Sequence, residues 1–258
     1  MSNASLRLTI LSAASMGAVL CTPAKAQSSA EHSATWALGL GVTWSPSPYR
    51  NYNNKAWPLP MVNYDGKSFY IHGISVGYRL FKTDQDEFSI VASPMGNRFL
   101  HSDSHDPQMR LLSDRDISGL AGVAWRHHAE WGVLQASAQK EFTGHGGGGV
   151  FDASYSYPLI QGSLRLVPTL GVTYNTSALN NYYYGISTAE ALRSGLPSYH
   201  AGGGTSPYLG ITASYQLSRS WMVSASIRYT ALPTTIKNSP MVDAGHTQSY
   251  LIALSYIF

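Results

Sequence analysis

The stretch Gln248-Ser249-Tyr250-Leu251-Ile252-Ala253-Leu254-Ser255-Tyr256-Ile257-Phe258 decides the fold. From Tyr250 onward every second residue is large and apolar: Tyr250, Ile252, Leu254, Tyr256 and Phe258. Alternation with a period of two lays one face of a strand against an apolar medium. A strand in hydrocarbon needs a hydrogen-bonding partner on both edges, because no water is there to satisfy its amides and carbonyls. A cylinder that closes its last strand on its first meets this need and leaves no edge. The expected fold is therefore an all-β transmembrane antiparallel barrel.

The same pattern recurs upstream. In Ala34 to Trp44, Trp36, Leu38, Leu40, Val42 and Trp44 share a face opposite Ala37, Gly39, Gly41 and Thr43. At ~3.3 Å per residue, Trp36 and Trp44 stand roughly 26 Å apart. That spacing suits two aromatic girdles around an apolar band of about 25 Å. Val76 and Tyr78 alternate with Gly77 and Arg79, Val123 and Trp125 with Gly122 and Arg126, and Phe151 and Tyr155 with Asp152 and Ser154. Leu164, Leu170 and Val172 oppose Arg165 and Thr173, and Val223 and Ile227 oppose Ser224 and Arg228. The inward set is read as small and polar, the reverse of a soluble sandwich. Arg79, Arg126, Lys140, Asp152, Arg165 and Arg228 are expected to point into the lumen. There they would either line a small polar channel or pair with one another to fill it.

Composition agrees. The chain has 17 Tyr, 6 Trp and 24 Gly but only 12% charged residues, the balance of a lipid-facing barrel rather than a soluble domain. Beyond the N-terminus no stretch approaches the ~18 consecutive apolar residues of a spanning helix. Residues 1–26 read as a secretory signal peptide: Arg7, the apolar run Leu8 to Leu20, and the small-residue pattern Ala24-Lys25-Ala26. Its removal takes away Cys21, the one cysteine, and with it any disulfide, thiolate metal site or thiol nucleophile. It also takes Arg7 and Lys25, leaving a net charge of about +1, which offers no electrostatic footprint for nucleic acid. Residues 27–258 would form the barrel, in the bacterial outer membrane and in contact with its lipid. A terminal aromatic strand also resembles the insertion signal of such barrels.

Turns alternate in length. Asp65-Gly66, Thr83 to Glu87, His127 to Glu130 and Ser218 to Ser220 are short. Pro46 to Asn54, Phe99 to Arg115, Thr176 to Thr205 and Leu232 to His246 are long. Short turns are periplasmic and long loops external in this class. The strand count is ten or twelve. It is twelve if Lys67–Gly73 and Ile74–Phe81 are separate strands, which the Asp65-Gly66 hairpin signal favours. In the longest loop, Ser187 and Glu190 form a capping box, and Gly195 and Pro197 terminate the short helix it starts.

These residues lead to a family. The chain is similar to the MipA/OmpV outer-membrane proteins across Trp36 to Phe258. The resemblance rests on Trp36 to Val42, on Pro58 to Gly66 and on Gly144 to Gly147. It rests above all on the loop motif Tyr184, Gly185 and Ser187, followed by Ser194, Gly195, Leu196, Pro197 and Tyr199. It departs in the first external loop, where Ser45 to Asn54 carries no acidic residue. The resemblance implies a scaffold that brings a murein lytic transglycosylase (MltA) together with a peptidoglycan synthase of the penicillin-binding class. The alternative reading is a small channel gated by the 176–205 loop.

Little else carries chemistry. Gly144 to Gly149 lacks the Lys-Ser/Thr of a phosphate loop and precedes a strand, so it reads as a flexible hairpin. His101 and His105 lie among Asp103, Asp106, Asp114 and Asp116, a set read as a solvated polar loop rather than a metal site. His127-His128 is placed in a periplasmic turn. Serine, histidine and aspartate are all present, yet no spacing selects a triad for a rim hydrolase. The expectation is no enzyme, no cofactor and no metal.

Overall fold

The computed structural model describes residues 35–258, so the signal segment and residues 27–33 lie outside the described residues. In chain order the strands are β1 (Thr35–Trp44), β2 (Ala56–Asp65), β3 (Phe69–His72), β4 (Ser75–Lys82), β5 (Asp86–Pro94), β6 (Gly119–Ala129), β7 (Gly132–Glu141), β8 (Gly149–Ser156), β9 (Leu159–Gln161), β10 (Leu164–Asn175), β11 (Gly204–Gln216), β12 (Trp221–Ala231) and β13 (His246–Ile257). Helices α1 (Ser177–Tyr184), α2 (Thr188–Ser194) and α3 (Thr234–Lys237) sit in the long loops. Every pairing is antiparallel, and β13 closes on β1 from Ala37↔Ile257 to Trp44↔Tyr250. β8 and β9 are one stave interrupted at Tyr157-Pro158, since both pair with β10. The wall is a closed barrel of twelve staves, with β3 and β4 separate as the hairpin signal favoured.

The alternation reads out directly. Leu40, Val42, Leu170, Leu209 and Ile252 face outward as an exposed apolar band. Trp36 packs at a tilt against Tyr64 and Trp221 meets Tyr256 at one end, while Trp44 stacks on Tyr250 at the other. Aromatic rings thus rim both ends of the band, where their apolar bodies meet lipid and their polar edges meet water.

Three local expectations change. Lys140 pairs with Ala121 and Gly149, and its neighbour Ala138 pairs with Val123 and Phe151, so Lys140 shares the outer face near the upper rim rather than the lumen. The outward side of β7 is built from Ala136 and Ala138, too small to give the alternation any amplitude. His127 and His128 lie within β6, and the turn is Glu130-Trp131. The lumen is also not uniformly polar. Leu59 and Met61 of β2 pack inward on Leu251 and Ala253 of β13. On β2 the lipid-facing positions are Pro58 and Pro60, so the polar-in, apolar-out rule fails there.

Candidate functional site

The loop motif builds a cap in the extracellular mouth. α1 carries Leu179 and Tyr183 one helical turn apart, and both are fully buried. They join Tyr49, Phe99, Met109 and Met241 in a core formed wholly by loops and strand ends. α2 begins with the capping box: Ser187 Oγ accepts from the Glu190 amide, and Glu190 Oε2 accepts from the Ser187 amide at 3.0 Å. It ends where Gly195 adopts φ 72°, a left-handed cap that glycine takes without steric cost. Leu196 then turns back into the core, and Pro197 on the surface prevents the helix from continuing. Ile186 and Tyr199 form an antiparallel bridge that ties the two ends of α2. Tyr184 accepts from Asn97 Nδ2 at 3.1 Å, and its carbonyl accepts from Ser239 Oγ at 2.7 Å. Ser194 Oγ donates to the Glu190 carbonyl at 2.7 Å, and Tyr199 OH donates to the Thr235 carbonyl at 2.8 Å. Apart from the surface Pro197, each motif residue has a packing, capping or hydrogen-bonding task. Gly185 caps α1 through its amide and offers its carbonyl to Arg115 Nη2 at 3.3 Å.

Arg115 is the residue that sequence reasoning missed. Its Nη2 donates to Glu190 Oε1 at 2.8 Å, and both side chains are more than nine-tenths buried. The Ser113 amide adds a further bond to the same oxygen at 3.1 Å. Burial pushes the Glu190 carboxyl up, but the Ser187 and Ser113 amides and Arg115 outweigh it and hold the group down at about 2.

The glycine run is anchored rather than loose. Glu141 Oε2 accepts from the His145 and Gly147 amides at 3.0 and 2.9 Å, and the His145 ring stacks on Tyr182 of α1. Gly144, Gly146 and Gly147 have φ of 87°, 97° and 65°, so the run can wrap a carboxylate already supplied by the chain. In the acidic loop, His101 Nδ1 meets Asp114 at 2.7 Å, Asp103 holds Lys55 and Asp106 holds Arg50.

Below the cap lie two polar clusters. Near the periplasmic end, Arg79 donates to Glu87 at 2.7 Å, to Asp65 at 2.6 Å and to the Gly66 carbonyl at 2.6 Å, and it lies over the Tyr70 ring. Across the lumen, Asp152 accepts from Thr173 Oγ1 at 2.7 Å and from Tyr208 OH at 3.1 Å. Arg228 stands 4.0 Å from the same carboxylate and 3.4 Å above the Tyr208 ring. Arg126 faces Gln135 across the β6–β7 ladder, and with the amide oxygen turned toward it two guanidinium nitrogens donate at 2.8 Å. Arg165 holds an inward register position beside Ser214. Asp152→Leu strips the acceptor from Thr173, Tyr208 and Arg228 together and is expected to cost about 2 kcal/mol. Urea unfolding in lipid vesicles checks this, with Thr173→Val losing less than half as much.

A closed, loop-capped barrel with an apolar belt and aromatic rims defines an outer-membrane β-barrel protein, and comparison with known proteins agrees. The family described as MltA-interacting protein MipA matches residues 38–258, and the chain belongs to this MipA/OmpV family. It is 34% identical to the MltA-interacting protein of Escherichia coli K12, over 97% of this chain and all of that one. It is 37% identical to YiaT of Escherichia coli O157:H7, named as an outer membrane protein, over 86% of this chain and 90% of that one. Among solved structures, the COG4313 outer membrane channel from Pseudomonas putida F1 aligns with 87% of this chain and 94% of that one, at 9% identity and TM-score 0.44.

Proposed function

We propose that this protein is a non-catalytic outer-membrane scaffold. It holds a murein lytic transglycosylase at its periplasmic side, beside a peptidoglycan synthase of the penicillin-binding class. The observation that carries this reading is the packed mouth. Phe99, Met109, Leu179, Tyr183 and Met241 are fully buried where a gated pore would keep a water path. The kinship with a protein named for interaction with MltA supports it.

Partners would meet the turns around Gly66–Ser68, Thr83–Gln85, Glu130-Trp131, Gly162-Ser163 and Leu217–Ser220. Residues 27–33, a further expected contact, lie outside the described residues. Such shallow turns fall short of the ~800 Å² per partner of a stable interface, so a transient complex is expected. In-cell photo-crosslinking from Gln85 and Arg219, both exposed turn residues, tests the reading. A lytic transglycosylase adduct should form from these sites and not from Leu192, exposed on the cap. Deleting residues 188–197 should leave the adduct intact. Adducts with abundant envelope proteins alone would overturn the proposal, as would equal capture from Leu192. If the cap deletion instead removed the adduct or opened steady conductance in planar bilayers, the gated channel would replace it.

A further inference from the structure

One part of the wall is incomplete. The β3–β4 hairpin turns back at Gly73-Ile74, and β3 pairs with β2 only from Asn63↔His72 to Asp65↔Tyr70. The last bond on that side is Gly73 N to the Val62 carbonyl, at 3.0 Å. Above it, residues 56–61 of β2 pair with β1 on one side and have no strand on the other. On the other flank, β4 leaves β5 at Val76↔Ala92, so Ser93 and Pro94 are unpaired toward β2. Loops close the gap from above. Tyr52 bridges Ser104, the Asn53 amide donates to the Asp103 carbonyl at 2.9 Å, and Lys55 pairs with Asp103. The result is a framed window in the extracellular half of the wall.

The frame is written into the chain. The Val62 carbonyl faces the window, so by alternation the nitrogens of Pro60 and Pro58 face it too. Met95 N donates to the Ser118 carbonyl just before β6, so the Pro94 nitrogen also faces the window. Proline belongs on edges because it has no N–H to offer a neighbour. These three prolines remove donors that a missing strand would otherwise leave orphaned in hydrocarbon.

Behind the window the lumen is amphipathic. A cavity of ≈ 230 Å³ is lined by Trp57 from one flank and by Gly96, Asn97 and Arg98 from the other. Leu59 and Met61 follow Trp57 on the same face of β2, packed on Leu251 and Ala253. Asn63 at the sill is nine-tenths buried, and its Nδ2 has no hydrogen-bond partner among the described residues. Arg98 is half-buried and has no carboxylate partner among the described residues, unlike the neighbouring Lys55.

We propose that this window is a lateral port for a single-chain anionic amphiphile of the outer leaflet. Its apolar tail passes between β2 and β5 onto Trp57, Leu59 and Met61, and its acidic head is held by Arg98. The port is independent of the periplasmic scaffold role. A lipid-exposed gap is costly unless its backbone is satisfied or lines a cavity. Here prolines remove the donors and a cavity lies behind. The cavity's own carboxylate, Asp103, is paired with Lys55, so Arg98 is left to match a carboxylate on an alkyl chain.

Photolabelling tests the port. The full-length protein in phospholipid nanodiscs is given dodecanoate bearing a tail diazirine, and labelled residues are mapped by mass spectrometry. Label should concentrate on Trp57–Met61 and Gly96–Arg98. Arg98→Glu should lower it about tenfold, a change of roughly 1.4 kcal/mol. Arg110→Glu, an exposed loop change outside the cavity, should not. Met61→Trp should lower label by filling the slot from inside, and heat modifiability in gels verifies that each variant is folded. Label spread evenly over Leu40, Leu170 and Leu209 would mean annular lipid only and would overturn the port. So would an unaltered signal in folded Arg98→Glu, or displacement by lipopolysaccharide but not by unlabelled dodecanoate.

Discussion

Glu190→Ala opens the cap while leaving the barrel closed. The substitution removes the acceptor for Arg115, the Ser113 amide and both donors of Ser187. It leaves the Arg115 guanidinium buried with only the Ser113, Asp114 and Gly185 carbonyls as acceptors. Breaking a buried pair from one side costs about 3 kcal/mol, because the remaining charge is desolvated without compensation. The barrel ladder does not run through these atoms, so the loss stays local. Hydrogen exchange should rise across residues 177–203, and the near-ultraviolet circular dichroism of the Tyr49, Tyr183 and Tyr184 cluster should fall. Heat modifiability in gels should persist. Glu190→Gln can keep the capping bonds but not the charge, and should lose less.

Acid tests the same pair. The Glu190 carboxyl sits at about 2 in the fold, below its ordinary range near 4.5. A group whose folded value is depressed contributes stability that is complete above the ordinary value and disappears as pH falls through the folded one. The tyrosine signal should therefore hold from neutral pH to about pH 4 and collapse toward pH 2. Glu190→Gln should flatten that transition. A collapse that persists unchanged in Glu190→Gln would assign it to another group.

Gly39→Val has the second large effect, at the closing seam. A Cβ on Gly39 would run into the Leu254 carbonyl oxygen and lie 2.6 Å from Ser255 Oγ and 2.8 Å from Ser255 Cα. Backbone cannot yield there without breaking the β1–β13 ladder that seals the cylinder. Overpacking of this kind costs about 3 kcal/mol, and an unsealed barrel exposes a polar edge to lipid. The variant should lose its heat-modifiable band and remain urea-soluble during folding into vesicles. Gly245→Ala, where the nearest atom is 3.9 Å away, should fold as the unaltered chain does. Normal folding of Gly39→Val would mean that the seam register differs from the one described.

The strands with large apolar residues on one face were plain from the chain: β1, β12 and β13 needed only their alternation. β7 is harder to read, because Ala136 and Ala138 present the lipid with too little contrast, and the alternation alone puts Lys140 on the wrong face. α1 carries little helix signal, because its asparagines and tyrosines are weak helix formers. Leu179 and Tyr183, four residues apart, were the available signal. The Ser187–Glu190 capping box was legible since it is local, whereas the Arg115 partner stands 75 residues away. Nothing in a single sequence ties those two positions together.

The prolines show the same division. Pro58 and Pro60 stood in the family-like stretch, but an edge has meaning only once the neighbouring hairpin is known to stop at Gly73. Alternation, composition and capping are short-range properties, and they settled the barrel, its membrane and the presence of a helix in the longest loop. Which loops meet in the mouth, which charges face each other across the lumen and where the wall is left open depend on contacts between distant segments. Those contacts follow from closure of the whole cylinder, which no local stretch of the chain encodes.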